Sequence, residues 1–600
     1  MLSRLLSACV LVLSLVPPAI AEPALKPVQS VEGITEYQLV NGLRVLLAPD
    51  DSKPTTTVNL TYRVGSRQEN YGETGMAHLL EHMLFKGTPT HRNVWAEFTQ
   101  RGLRANGSTW LDRTNYFASF AANDENLKWY LDWEADAMVN SFIARKDLDS
   151  EMTVVRNEME MGENSPGRIL MEKTQAVMFD WHNYGKSTIG ARSDVENVDI
   201  SRLQAFYRTY YQPDNATLIV SGKFDPQKVL GWIDAGFGKI PRPKRELPRL
   251  YTIDPAQDGE RALTIRRVGG APLLIAAYHT PAGAHPDAAA MEVLGILLAD
   301  TPSGRLHKRL VEKQLVSGVF SDTMVLHDPG IGMWGAQLAP GQDIDRARAE
   351  MLAVIEGLSQ EPVTAEEVNR AKAKWIKGWE LQYTNPESVG VALSEFIAAG
   401  DWRLFFLLRD RVQSVKPEDV QRVAVQYLVA SNRTMGSYIP TDKPVRAPAP
   451  AMADFQAQLK EFKPQAAAAA VPPFDATPAN IDARTQRFAL DSGLKAAVLP
   501  KPTRGNAVNA VLTLHYGDEK SLAGQEQVAG FVAAMLDKGT AQLSRDQIQD
   551  RLDELKTQVS ISSGTGSVSV SIQSRRDTIA QAIALVGQIM RTPTFPEPVL

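Results

Sequence analysis

The first strands of the chain announce themselves by alternation. Tyr37 to Val40 and Leu43 to Leu47 flank Asn41-Gly42, a pair that favours a two-residue type I′ turn, so this stretch predicts a β-hairpin. Thr55 to Val64 alternates as another strand. Gly75 to Phe85 reads as a helix, and Ala105 to Ala121 as extended chain with turns. Asp124 to Phe142 predicts a long amphipathic helix with acidic residues in its first turn, followed by a further helix over Leu148 to Glu160. Later, Leu263 to Ala277 and Met333 to Leu338 read as strands around helical Asp287 to Leu298 and Arg305 to Lys313. Thr364 to Gln382 is another long helix, opened by a capping box of Thr364 and Glu367. Both periods in one chain give an α+β class, with long helices lying on mixed or antiparallel sheets.

The pattern repeats. Met83-Leu84-x-Lys86-Gly87-Thr88 returns as Met535-Leu536-x-Lys538-Gly539-Thr540, and Asn41-Gly42-Leu43 returns as Ser492-Gly493-Leu494 after a one-residue gap. Such self-similarity marks tandem homologous modules. Ala467 to Val471, flanked by Lys463-Pro464 and Pro472-Pro473, reads as a linker. The expected organisation is a module over 30–248, a second over 249–445, a linker over 446–475 and a third module over 476–600. Ile572 to Leu600 aligns with Phe120 to Leu148, so the third module is expected to be incomplete, with a homo-oligomer or a partner chain supplying what it lacks.

Composition narrows the classes. Six hundred residues exceed a single core, and 44% hydrophobic with 22% charged residues is ordinary for a globular protein. The net charge is −5 without a basic stripe, which argues against nucleic acid as a partner. Residues 1–21 read as a secretory signal. Arg4 precedes the apolar run Leu5 to Val16, and Ala19-Ile20-Ala21 is a cleavage site. That run is short for a membrane span, so no span is expected, and a periplasmic or secreted protein is. Cys9, in the signal, is the only cysteine. Disulfide, thiolate-metal and cysteine-nucleophile chemistry are thereby excluded from the mature chain, and any metal must be held by His, Asp or Glu.

One run carries chemistry. In His78-Leu79-Leu80-Glu81-His82 two imidazoles lie one turn apart on a helix, with a carboxylate beside them. The H-x-x-E-H order reads as a zinc peptidase site with Glu81 as general base. A catalytic zinc takes a third protein ligand. The helix near residue 151 offers Glu151, Glu158, Glu160 and Glu163, of which Glu151 and Glu158 share a face. In the repeat, His78, Glu81 and His82 fall on Gly530, Ala533 and Ala534, so the third module is expected to be inactive.

The run Gly75-Met76-Ala77-His78-Leu79-Leu80-Glu81-His82-Met83-Leu84-Phe85-Lys86-Gly87-Thr88 resembles the M16 (pitrilysin-like, inverzincin) metallopeptidases. So do Glu151-Met152-Thr153-Val154-Val155-Arg156-Asn157-Glu158 and Tyr210-Tyr211-Gln212-Pro213-Asp214-Asn215 with Val220-Ser221-Gly222. That family includes insulin-degrading enzyme, the mitochondrial processing peptidase and bacterial periplasmic zinc proteases. The resemblance implies a clamshell of four α+β modules, two per half, with zinc in the first. It selects Glu158 as third ligand and Glu151 as a supporting carboxylate. It also implies that Ala105-Asn106-Gly107-Ser108 is an edge strand to which a peptide adds, against the ordinary reading of Asn106-Gly107 as a turn. The family's Arg/Tyr substrate-binding pair belongs to the fourth module, and Val311 and Ser317 occupy the corresponding second-module positions. His182 and Tyr184 match a family-like His-x-Tyr-Gly run and read as structural. The expected activity is a zinc-dependent endopeptidase acting on peptides or unfolded chains. The alternative is a non-catalytic scaffold or peptide-binding subunit that keeps structural zinc.

Overall fold

A computed structural model describes residues 25–465 and 470–599. The predicted signal over 1–21 and residues 466–469 of the predicted linker lie outside the described residues. The chain divides into two units, Met1–Ala447 and Pro448–Leu600. Among the described residues no helix is long and apolar enough to cross a membrane.

The first unit contains two sheets. Strands β1 (Pro27–Val31), β2 (Ile34–Gln38), β3 (Arg44–Pro49), β4 (Thr55–Tyr62), β5 (Arg104–Thr109), β6 (Thr114–Ala121) and β7 (Ala216–Gly222) form the first. Their order is β1-β2-β3-β7-β4-β6-β5, which leaves β5 at an edge. Helices α1 (Met76–Leu84), α2 (Val94–Gln100) and α3 (Asp124–Asn140) bury their apolar stripes against it. Val58, Leu60, Leu80, Met83, Leu84, Tyr116 and Trp133 are fully buried in this core. Each such aliphatic side chain contributes roughly 1.5–3 kcal/mol by leaving water.

The β2–β3 hairpin forms, but not with the predicted type I′ turn. That turn needs positive φ at two residues, and here only Gly42 has it, at 101°. Leu39 N–H donates to the Leu43 carbonyl and Gly42 N–H to the Leu39 carbonyl, which makes a longer loop. Asn41 is drawn inward instead, where its amide donates to the carbonyls of Phe237 and Ile240 at 2.8 and 2.9 Å.

The second sheet holds β8 (Arg261–Arg267), β9 (Leu273–Thr280), β10 (Gly318–Thr323), β11 (Gly330–Gln337) and β12 (Arg433–Pro440), in the order β10-β11-β9-β12-β8. The stretch Leu263 to Ala277, predicted as one strand, is therefore two. Gly269 and Gly270 turn the chain between them, and β12 inserts between β8 and β9, parallel to β8. The long helix Ala365–Tyr383 begins at Thr364 with the predicted capping box.

The two sheets exchange helices. Helix α4 (Arg145–Glu163) stays beside α1, but α5 (Pro166–Met178) packs on the second sheet. There Leu170 and Met178 share a buried cluster with Leu273, Ile275, Ala277 and Tyr438. In return, the Pro386–Ala399 helix lies on the first sheet. Asn59 donates to the Gly390 carbonyl and to Ser394 Oγ, both at 2.8 Å, and Ser221 Oγ donates to the Pro386 carbonyl at 2.6 Å. A Cβ at Gly390 would lie 2.6 Å from Ser221 Oγ, so this contact needs a bare backbone.

The second unit repeats the start of the first. After the hairpin β13 (Gln486–Ala489) and β14 (Lys495–Val498) come β15 (Ala507–His515), β16 (Gln558–Gly564) and β17 (Ser567–Arg575). Their order β15-β17-β16 copies β4-β6-β5, and the Glu526–Met535 helix packs on β16 as α1 packs on β5.

Candidate metal centre

Helix α1 starts at Gly75, whose φ of 90° and missing side chain leave its first amides uncapped from within the helix. Glu69 caps them from outside. Fully buried, its carboxylate accepts from the N–H groups of Gly75 and Ala77, both at 2.8 Å, at the positive end of the helix dipole. Burial pushes the Glu69 carboxyl up to about 8, against the two amide bonds that favour its ionised form. Ala77, Leu80 and Leu84 fix one face of α1 in the core. His78 and His82 look out from the other, towards α4.

Three donor atoms converge there. His78 Nε2 and His82 Nε2 lie 3.3 Å apart, and Glu158 Oε2 is 3.4 Å from the first and 3.5 Å from the second. A tetrahedral zinc with ligands at about 2.0–2.1 Å separates them by roughly 3.3–3.4 Å, so the group fits such an ion. With its Nδ1 proton on Glu151, His82 presents the Nε2 lone pair to this point. Burial pushes the His78 imidazole down to about 3, which keeps it neutral as a ligand must be. Among the described residues this is the one cluster of three His, Asp or Glu groups able to hold a metal.

The neighbours orient the group. His82 Nδ1 meets Glu151 Oε1 at 2.9 Å, which directs Nε2 at the cluster, and Lys86 pairs with the other oxygen of Glu151. Burial raises the Glu151 carboxyl, but the hydrogen bonds from Lys86 and His82 outweigh it and hold the group below its usual value. Of the four carboxylates the sequence offered, Glu160 and Glu163 turn away to Arg192, at 3.8 and 3.6 Å. Sequence reading missed Glu69 and Lys86. Neither has a local signal: Lys86 lies past the end of α1 and its partner, Glu151, is on α4.

Glu81 lies under the edge strand. A Cβ on Gly107 would sit 2.8 Å from Glu81 Cγ and 3.1 Å from Phe85 Cε2, so the glycine makes room for this carboxylate. Burial raises the Glu81 carboxyl above its ordinary value, against a hydrogen bond from Thr109 and the charges of His82 and Arg113. Ala105 and Asn106 are strand residues, paired with Ala118 and Phe117. The turn reading of Asn106-Gly107 therefore fails; the turn comes later, where Trp110 N–H donates to the Arg113 carbonyl. Arg113 ties Ser108 of the edge strand to Asn115 and to Glu395 on the Pro386–Ala399 helix.

The other singled-out residues are elsewhere. Tyr184 is buried with its hydroxyl on Asp112, and His182 Nε2 faces Asp328 at 3.1 Å, in a network with Arg67. Val311 ends a short π-helical turn (His307–Val311), and Ser317 Oγ donates to the Gln337 carbonyl. In the second unit Gly530, Ala533 and Ala534 lie on the Glu526–Met535 helix and offer no donor atoms.

Residues 44–192 match the family model described as Insulinase (Peptidase family M16), and 197–374 match Peptidase M16 inactive domain. The chain belongs to the M16 peptidase family. Among its relatives is the zinc protease PqqE of Helicobacter pylori, 29% identical over 406 residues, covering 66% of this chain and 90% of that protein. The crystal structure of a protease from Helicobacter pylori superposes with a TM-score of 0.64 at 27% identity, over 68% of this chain and 99% of that one. The periplasmic protease PqqL from Escherichia coli shares the fold at a TM-score of 0.59 and 20% identity, over 96% of this chain and 67% of that one. The α+β tandem-module architecture is thus that of M16 proteins.

Proposed function

We propose that this M16 protein is a zinc-dependent endopeptidase of peptides or unfolded polypeptides. The observation that supports it best is the triangle of His78 Nε2, His82 Nε2 and Glu158 Oε2, with sides of 3.3–3.5 Å and Glu81 beside it. The chemistry a bound zinc supplies is Lewis-acid activation of water and polarisation of the scissile carbonyl. His78, His82 and Glu158 hold the ion. Glu81, its proton affinity raised by burial, takes the proton from the attacking water and hands it to the leaving amine. Glu151 keeps His82 in the ligating tautomer. The free edge of β5 supplies backbone groups for an extended peptide along Ala105 and Asn106, above Glu81. The leader-like pattern of 1–21 supports export, with the periplasm as the site of action.

The second reading, a scaffold retaining structural zinc, draws on the second unit, whose equivalent helix carries Gly530, Ala533 and Ala534. Incubation with a quenched-fluorescence peptide library separates the two. The endopeptidase reading expects cleavage that a chelator abolishes and zinc restores. A chain that binds zinc, melts at a lower temperature without it and cleaves nothing would be the scaffold.

A further inference from the structure

A groove of about 720 Å³ opens beside the metal-binding group, between α4, α5 and the segment 185–194. Met159, next in sequence to Glu158, lines it, and so does Gly162, one turn further along α4. Its apolar lining comes from Met159, Ile169 and Ile189, whereas its charged lining is basic. Arg168, Lys173, Lys186, Arg192 and Arg267 face three acids, Glu163, Glu172 and Asp194. That is a local excess of positive charge in a chain whose net charge is −5.

The acids are already engaged. Glu172 pairs with Arg168 at 3.0 Å, Glu163 lies 3.6 Å from Arg192, and Asp194 accepts from the N–H and hydroxyl of Thr74. Two lysines are not. Among the described residues neither Lys173 nor Lys186 has a carboxylate within ion-pair distance, and the Lys186 ammonium rests 4.0 Å from the Tyr71 ring centroid. Glu69 and Asp194 contribute negative charge to the surroundings of Lys186, but Glu69 is buried behind its two amide bonds. An anion entering the groove therefore meets two ammonium groups free to pair with it, over an apolar floor.

We infer that this groove is a specificity site for acidic side chains, glutamate or aspartate, of a peptide held at the neighbouring His78, His82 and Glu158. The inference rests on the peptidase reading for the identity of the occupant. It makes acidic peptides the preferred substrate class, discriminated by Lys173 and Lys186. The preference is electrostatic and weakens with salt.

Binding tests it on the full-length, zinc-loaded Glu81→Gln chain. Fluorescence anisotropy is measured for three labelled peptide pools that differ only in carrying Glu, Gln or Lys at the varied positions. The Glu pool should bind about tenfold tighter than the Lys pool at low salt, a size typical of close unlike charges at a partly exposed site. The difference should vanish in Lys173→Ala/Lys186→Ala and invert in Lys173→Glu/Lys186→Glu, with melting temperatures unchanged. Equal affinity for the pools, no binding of any pool, or a preference that survives the double alanine variant would overturn the inference. Wild-type turnover keeps the two readings apart. Cleavage without acidic preference removes the groove's role alone, while lysine-dependent acidic binding without cleavage removes the peptidase reading and keeps the groove.

Discussion

At the scale of residues, the two histidines and Glu81 are legible because helical spacing is local: positions 78, 81 and 82 share a face in any α-helix. The third donor is not legible from spacing alone. Glu151, Glu158, Glu160 and Glu163 all ride on α4; Glu151 is taken up by His82 Nδ1 and Lys86, and Glu160 and Glu163 face Arg192 instead. Replacement of Glu158 by Gln, or of His82 by Ala, should abolish stoichiometric zinc, as read by elemental analysis after gel filtration. Full zinc in Glu158→Gln would move the third ligand to another carboxylate. Glu151→Gln removes only the group that orients His82. It should weaken zinc binding by about 10–100-fold in chelator competition, the usual cost of losing such a support. An unchanged zinc affinity would make the His82–Glu151 contact incidental.

Among elements, α1 and the capped helix Ala365–Tyr383 were readable because their signals lie within them. The division of β8 from β9 was not, because the strand that separates them, β12, arrives from more than 150 residues away in sequence. Glu367 makes the helix start testable by pH. Burial raises its carboxyl, but hydrogen bonds from Arg305 and Thr364 prevail and hold it down to about 2, from a usual 4.5. The folded state thus favours the ionised form. The stabilisation is complete above about 4.5 and is lost as pH falls towards 2. Glu367→Gln should cost about 1–2 kcal/mol at pH 7, the size of a lost side-chain cap with its charge-assisted bonds. Wild type and variant should converge in denaturant midpoint as pH falls from 5 to 2. A gap that stays constant with pH would deny the ionised carboxylate its role. On β5, Gly107→Val should press on Glu81 and Phe85. Overpacking of this kind costs about 1–3 kcal/mol, and turnover should fall while zinc content stays at wild-type level. Normal turnover in a folded Gly107→Val chain would show that the contact can relax.

For the whole molecule, the tandem repeat was visible in sequence because Met-Leu-x-Lys-Gly-Thr recurs, and the β15-β17-β16 sheet bears it out. The exchange of helices between the sheets had no such signature. The partners of the Pro386–Ala399 helix, Asn59 and Ser221, look in sequence like polar strand residues that face solvent. Their burial under small residues of a distant helix is a tertiary fact. Leu46 and Ile219 share a buried cluster with Trp379, Leu393 and Trp402, so the first sheet lacks a cover without the later segment. Residues 25–248 expressed alone should therefore aggregate or bind a hydrophobic dye, and co-expression of 249–447 should restore a soluble complex. A soluble, cooperatively melting 25–248 fragment would show that the exchanged helix is dispensable.

In the proposed peptidase, one carboxylate beside a three-ligand zinc group performs the proton transfers of peptide hydrolysis. Zinc content and peptide turnover measured on the same sample of Glu81→Gln test it most directly, because glutamine fills the same space without accepting a proton at neutral pH. Wild-type zinc with turnover reduced by about a hundredfold or more is expected. Wild-type zinc with near-normal turnover would contradict it.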